Sequence, residues 1–525
     1  MKKRVLLCFC CMFILACNNE NDFNNNKAIT KANDSAITES EGKDENFALK
    51  ETFAKAFAKV IYESKEARDM IKEESLKQID YDFDVLYNII KDKPLSDGNT
   101  IEKLLSKYIS KNEQDVINKQ IPTLTIFVPT LPENSFSTAS WNTNTEIPVV
   151  AVRTSKTNDV PVFNEKGEET IIESDLIPGY PIVVIKENER IGASKTMTKA
   201  QTDDNFSSKD GINYFFLSEV FDNIKNKHKM TKAVIIAPEE NIQKLFDAYD
   251  IYPNATGWQR DYIYYNITPS SPKGPFQNNF KEHIVSFELL GDAQTALDKI
   301  SDQTGDPATD GNQHQHQYNG YSTITGWTDG EFEFEVKVYC GSKSAVGNEF
   351  TTNFRAKPED LFIATFKIIK KDGKNYYSTD KLYTKKMHLS LPLFEWDLED
   401  YSSSMKISIS EYDASQTNQQ TVTTSNEFAN NFSFDVGWGS IVKIGAKFGT
   451  SSKSTLTQSY VETTTLGSDQ LGDVVINFFD PVLLSKNNTH IPTSGGRSDQ
   501  YFDPDYNNTY KTGFYRIQIA PKKIY

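Results

Sequence analysis

The hydrophobic period of this chain changes at Ile121. From Phe47 to Gln120 the apolar residues recur at helical spacing. Phe47, Phe53, Phe57 and Ile61 share one face, with Ala54 and Ala58 beside them and Lys and Glu opposite. Met70, Ile71, Leu76 and Ile79 continue a second helix, and Ile101, Leu104, Leu105 and Ile109 a further short one. After Ile121 the period shortens to that of strands. Leu124, Ile126 and Val128 alternate, while Val149–Val152, Ile182–Ile185 and Ala233–Ile236 are short apolar runs bounded by turn residues. From about Gly320 the alternation becomes clean: Phe332, Phe334, Val336 and Val338, then Phe362, Ala364, Phe366 and Ile368, then Met405, Ile407 and Ile409, and last Tyr515, Ile517 and Ile519. A helical block followed by many short strands predicts a multidomain α+β chain.

The pattern divides the sequence into six stretches. Residues 1–16 read as a signal peptide and 17–46 as a polar tether. Residues 47–120 read as a helical module, 121–255 as an α+β region, 256–318 as a connecting segment with a polar loop, and 319–525 as an antiparallel β-sandwich. Within the connecting segment, Trp258–Tyr265 reads as an amphipathic strand packing its rings, with sugar stacking as the alternative. His314 and His316 lie in its polar loop, where solvated imidazoles are commoner than metal ligands.

Four of the five cysteines, Cys8, Cys10, Cys11 and Cys17, fall in the first 17 residues. There Lys2, Lys3 and Arg4 precede an apolar run from Val5 to Ala16, too short to span a bilayer as a helix. Ile14-Leu15-Ala16-Cys17 resembles the lipobox of bacterial lipoproteins, in which the cysteine is acylated and becomes the first mature residue. That resemblance implies a lipid on Cys17 and a membrane partner through it. The acidic, Asn-rich stretch that follows is similar to the export tag of surface lipoproteins of the Bacteroidetes, which implies an outer-membrane and surface-exposed location. The tether to about Asn46 has a reach on the order of 30 Å. Removing residues 1–16 takes away three basic residues and no acid, moving the formal charge from −15 to −18. Cys340 is then left without a partner for a disulfide, so the exported chain relies on its apolar cores. The acidity also excludes a nucleic-acid binder, which needs a basic stripe.

No nucleotide, zinc-protease, serine-hydrolase or dithiol motif is present. Asp80, Asp82 and Asp84 have the spacing that opens an EF-hand, but Val85 and Lys91 stand where such a loop needs Gly and Glu, so the three are expected to cap a helix. Asp397, Glu411 and Asp413 end strands with acids and are weakly similar to the calcium-binding loops of C2-type sandwiches; calcium is the only cofactor they suggest. Between residues 419 and 479, Phe432, Phe434, Val436, Trp438, Val442, Ile444 and Phe448 form one apolar face opposite polar residues. In texture this is distantly similar to the insertion region of aerolysin-type pore-formers, although a half-buried sandwich hairpin produces the same alternation. The expected function is a cell-envelope lipoprotein that binds a protein or glycan ligand. A pore-former is the alternative, and a calcium-dependent or carboxylate-based hydrolase the second.

Overall fold

In the computed structural model the described residues are 46–154, 159–194, 206–217, 221–224, 238–253, 258–271, 274–301, 327–328, 331–342, 348–411, 421–432, 454–465, 470–491 and 501–524. All belong to the unit Asp44–Tyr525. The chain is α+β: a run of helices is followed and interleaved by mostly antiparallel sheets.

The first helix, Phe47–Glu63, buries Phe53, Ala54, Phe57, Val60 and Ile61 along one face. Ser64 then caps the helix Lys65–Ser75, its side chain accepting from the Ala67 N–H at 3.1 Å. The helix Lys111–Gln120 opens with a reciprocal capping box between Ser110 and Glu113. These helices lie against a six-stranded sheet whose order is Asp84–Leu86, Leu124–Phe127, Ile182–Glu187, Val149–Val152, Val160–Phe163 and Glu169–Ile172. Only Val149–Val152 against Ile182–Glu187 is parallel. Val150–Val152 and Ile182–Ile185 are fully buried, which is why they read as unbroken apolar runs.

A second core runs from Leu245 to Ala520. It joins a four-stranded sheet (Asn348–Ala356, Phe332–Ser342, Tyr401–Glu411, Gln470–Asn477) and a three-stranded one (Met387–Pro392, Phe280–Leu289, Tyr515–Lys523). The strand Phe280–Leu289 lies in the stretch expected to connect domains, and it sits at the centre of its sheet. Trp258–Tyr265 departs from expectation as well: Gln259–Tyr265 is a helix, not a strand. Its Arg260 and Tyr264, four positions apart, both bond Glu282, as residues on one helical face do.

The hairpin Phe362–Lys371 with Lys374–Thr384 links the two cores. Its Tyr376 and Tyr377 pair with Pro178 and Ile177 and pack into the first core beside Trp327. Gly179 follows that contact, where a Cβ would come within 2.9 Å of the Tyr377 ring and 3.0 Å of the Asn375 carbonyl oxygen. Among the described residues, no helix is long and apolar enough to cross a membrane.

Candidate functional site

Where this hairpin meets the first core, a cleft of about 540 Å³ opens. Phe83, Phe127, Trp327, Phe362 and Phe366 supply its aromatic wall, and Asp82, Glu133, Lys357 and Glu359 its charged groups. Trp327 is 4% exposed, and its indole N–H has no acceptor among the described residues. A buried donor without a partner costs about 1–3 kcal/mol. Two non-glycine residues that line the cleft have positive φ, Glu133 (53°) and Asn134 (55°), as does Tyr81 (75°), which precedes the lining residue Asp82. Backbone held in the left-handed region concentrates at functional sites.

Behind the cleft wall lies a buried charge cluster that shares Asp82 with it. Asp80, Asp82, Asp84, Glu189, Glu331 and Glu333 gather about Lys186, Arg190 and Arg355, with Lys357 near Glu331. The turn after Ile182–Glu187 sets the geometry. Asn188 Oδ1 accepts from the Arg190 and Ile191 N–H groups, which turns Arg190 inward. The same Asn188 donates its amide to Asp80 Oδ2 at 2.9 Å and Asp84 Oδ2 at 3.1 Å. Arg190 pairs with Asp82 at 2.8 Å and Glu333 at 2.7 Å, and donates to the Asp80 carbonyl at 3.0 Å. Lys186 lies 3.3 Å from Asp84 and 2.7 Å from Glu189. Arg355 pairs with Glu331 at 2.7 Å and stacks over the Tyr81 ring.

Burial dominates the titration of Asp80, Asp84, Glu331 and Glu333. It raises the pKa of Asp80 and, more strongly, of Asp84, against the opposing pull of Arg190 and Lys186 respectively. It raises Glu331 as well and pushes Glu333 up to about 8, although Arg190 opposes it there. For Arg190 burial acts against the charge, but the surrounding carboxylates outweigh it and hold the pKa well above the usual value. Asp80 Oδ1 and Asp84 Oδ1 have no hydrogen-bond partner among the described residues.

The three aspartates therefore do not cap a helix. Asp84–Leu86 is a short strand, and the next helix, Tyr87–Ile90, has Leu86 at its N-cap with no side-chain bond. Their alternate spacing with Tyr81, Phe83 and Val85 is strand-like, and that was the available signal. Nothing local announced Asn188, Arg190, Trp327 or Glu333 as their neighbours.

The other candidates are not assembled into a site. Asp397 accepts from the Tyr265 hydroxyl at 2.9 Å in the turn before Tyr401–Glu411, while Glu411 ends that strand and is buried. Eleven residues of strand put them about 30 Å apart, so Asp397 and Glu411 cannot share a calcium ion; this corrects the expectation from their acidic flanks. Asp413 lies outside the described residues, as do Cys17, His314, His316, Ala233–Ile236, Phe434, Val436, Trp438, Val442, Ile444 and Phe448. Phe432 ends the strand Thr421–Phe432, where it pairs in register with Ser454. Cys340 is buried, and desolvation pushes its thiol up to about 12, which makes it a packing residue rather than a nucleophile. His283, beside Glu282, is pushed down to about 4 by burial and is neutral at pH 7.

No protein family, no curated protein and no solved structure matches this chain.

Proposed function

We propose that this chain is a lipoprotein of the cell envelope, held in the outer membrane by acyl groups on Cys17, whose folded part binds a short, uncharged glycan in the aromatic cleft. The observation that carries the ligand reading is the unpartnered Trp327 N–H in a cleft walled by aromatic rings. Sugar faces stack on rings, while sugar hydroxyls both accept from N–H groups and donate to carboxylates. Asp82, Glu133 and Glu359 outnumber Lys357 there, which favours a ligand rich in donors over an anion. A mostly apolar concavity with a few convergent polar groups is the usual form of a small-molecule site. The finer architecture belongs to the same proposal: an N-terminal helical module, an α+β middle and a C-terminal antiparallel β-sandwich. Its support is that the two sheets of the second core bury their faces in one cluster.

Calorimetry and tryptophan fluorescence with neutral oligosaccharides test the ligand. Binding should weaken at least tenfold in Trp327→Phe; a panel without any binder, or a variant that binds equally well, refutes the reading. Cys17→Ser tests the anchor and should move the protein out of the membrane fraction. Unchanged partitioning would remove the lipid.

One observation favours a second reading, the aerolysin-like pore-former. Thr421–Phe432 and Ser454–Thr465 pair as a separate two-stranded antiparallel sheet with 12 residues in each strand. A membrane-crossing β-strand needs about 9–11. Dye release from liposomes, abolished by Val442→Asp, is its expected signature, and intact liposomes exclude it.

A further inference from the structure

Among the described residues, the charge cluster behind the cleft holds more acid than its cations neutralise. Six carboxyl groups face Lys186, Arg190, Arg355 and the nearby Lys357. Buried carboxylates are stable only when paired, protonated or bound to metal.

We propose that Asp82, Asp84 and Glu189 bind a divalent cation, with calcium the preferred ion. One carboxylate oxygen from each of the three lies within 4.8 Å of the others. Oxygens that ligate a common calcium ion at about 2.3–2.6 Å have separations of this size. A second observation comes from outside the trio. Asp80 is 0% exposed and its Oδ1 has no hydrogen-bond partner among the described residues, while its Oδ2 shares the Asn188 amide with Asp84. Asp84 Oδ1 is unpartnered in the same way. Asn188 thus holds Oδ2 of each aspartate, and Oδ1 of each remains buried without a hydrogen-bond partner among the described residues.

The donor chemistry selects the ion. Every donor is a hard oxygen, with no Cys or His in the set, which disfavours thiophilic metals. Magnesium retains several waters and is poorly served by a buried cage of side chains, whereas calcium accepts six to eight oxygens in irregular geometry. Asp82 lines the cleft and provides the way in.

Lys186 is the built-in competitor, because its ammonium contacts Asp84 and Glu189. An entering cation displaces it from these two carboxylates. The Phe127 ring, 4.8 Å from Nζ, offers the displaced ammonium a cation–π partner. The competition predicts an unusual sign: removing a positive charge from the site, by Lys186→Met, should tighten calcium binding. The inference does not depend on what occupies the cleft.

The test is calorimetric titration of the full chain, stripped with a chelator, with calcium chloride, accompanied by melting curves. The expected result is one equivalent bound, with a rise in Tm as calcium is added. Asp84→Asn should weaken binding at least tenfold, and Lys186→Met should strengthen it at least tenfold. Should Asp84→Asn fail to fold, Glu189→Gln, at the least buried of the three carboxylates, serves in its place. Absence of binding up to roughly 10 mM calcium, well above the affinities of extracellular calcium modules, overturns the proposal. So does an affinity unchanged in the carboxylate variant, or one unchanged or weakened in Lys186→Met.

Discussion

Arg260 and Arg190 are both buried, and both pair with carboxylates, but their surroundings are balanced differently. Arg260 meets one acid. Its Nε and Nη2 donate to the two oxygens of Glu282 at 2.8 and 3.2 Å, Nη1 donates to the Asp480 carbonyl, and the Tyr264 hydroxyl donates to Glu282. Every charge there has a counter-charge and every nitrogen a use, which is how a buried pair holds a core together. Arg190 stands among several acids, and Oδ1 of both Asp80 and Asp84 has neither a hydrogen bond nor an ion pair among the described residues. A surplus of buried carboxyl groups with raised pKa beside a cleft marks the second region, not the first, as the place for a ligand.

Removing charge should therefore have opposite consequences in the two regions. Glu282→Gln leaves Arg260 buried without its counter-charge and should lower stability by about 3–5 kcal/mol, read by urea unfolding. Loss of less than about 1 kcal/mol would dissolve the contrast. Between these cases stands Asp261, next to Arg260 on the same helix. Both of its carboxyl oxygens lack a partner among the described residues, and burial pushes it up to about 8. It keeps its proton in the fold but loses it in the unfolded chain near pH 4. The folded state thus binds more protons between about pH 4 and 8, and this contribution to stability is lost as pH rises through that window. Asp261→Asn should flatten the dependence by up to roughly 1.4 kcal/mol per pH unit; an unchanged profile would show that Asp261 finds a partner in solution. The smallest effect is expected at the crowded site. Glu333→Gln removes one surplus acid while keeping an acceptor for Arg190, and should change stability by no more than about 1 kcal/mol at pH 8. A loss as large as that of Glu282→Gln would mean that Glu333 is Arg190's essential partner.

The strands of the second core were legible where one face is wholly apolar. Phe332, Phe334, Val336 and Val338 are fully buried, as are Met405, Ile407 and Ile409, so the alternation in sequence is the alternation of the sheet. Phe280–Leu289 escaped notice because its inward positions include Glu282 and Ser286. Their polarity is met by partners far off in the chain, Arg260 for Glu282 and Gln518 for Ser286, 22 and 232 residues away. A register shift between Ile284 and Ser286 breaks the pattern further. The same reasoning explains the site. Asp80, Asp82 and Asp84 stood out in the sequence, but their meaning depends on Lys186, Asn188 and Arg190, which the sheet brings to them from a hundred residues on. Local spacing suggested a helix cap, and only the pairing of Asp84–Leu86 with Leu124–Phe127 shows the segment to be a strand edge. Trp327 gave no signal at all, since the aromatic residues that share the cleft with it, Phe83, Phe127, Phe362 and Phe366, lie far from it in the chain.

The contrast between the two arginine sites can be tested in one crystal. Manganese, a hard divalent ion with strong anomalous scattering, replaces calcium at carboxylate sites. Crystals of the full chain soaked in manganese should show an anomalous peak between Asp82, Asp84 and Glu189, with Lys186 moved away, and none beside Arg260 and Glu282. A map without a peak at the aspartates, with the Lys186 ammonium still against Asp84 and Glu189, would show that the crowded cluster is a closed ion network like its balanced counterpart.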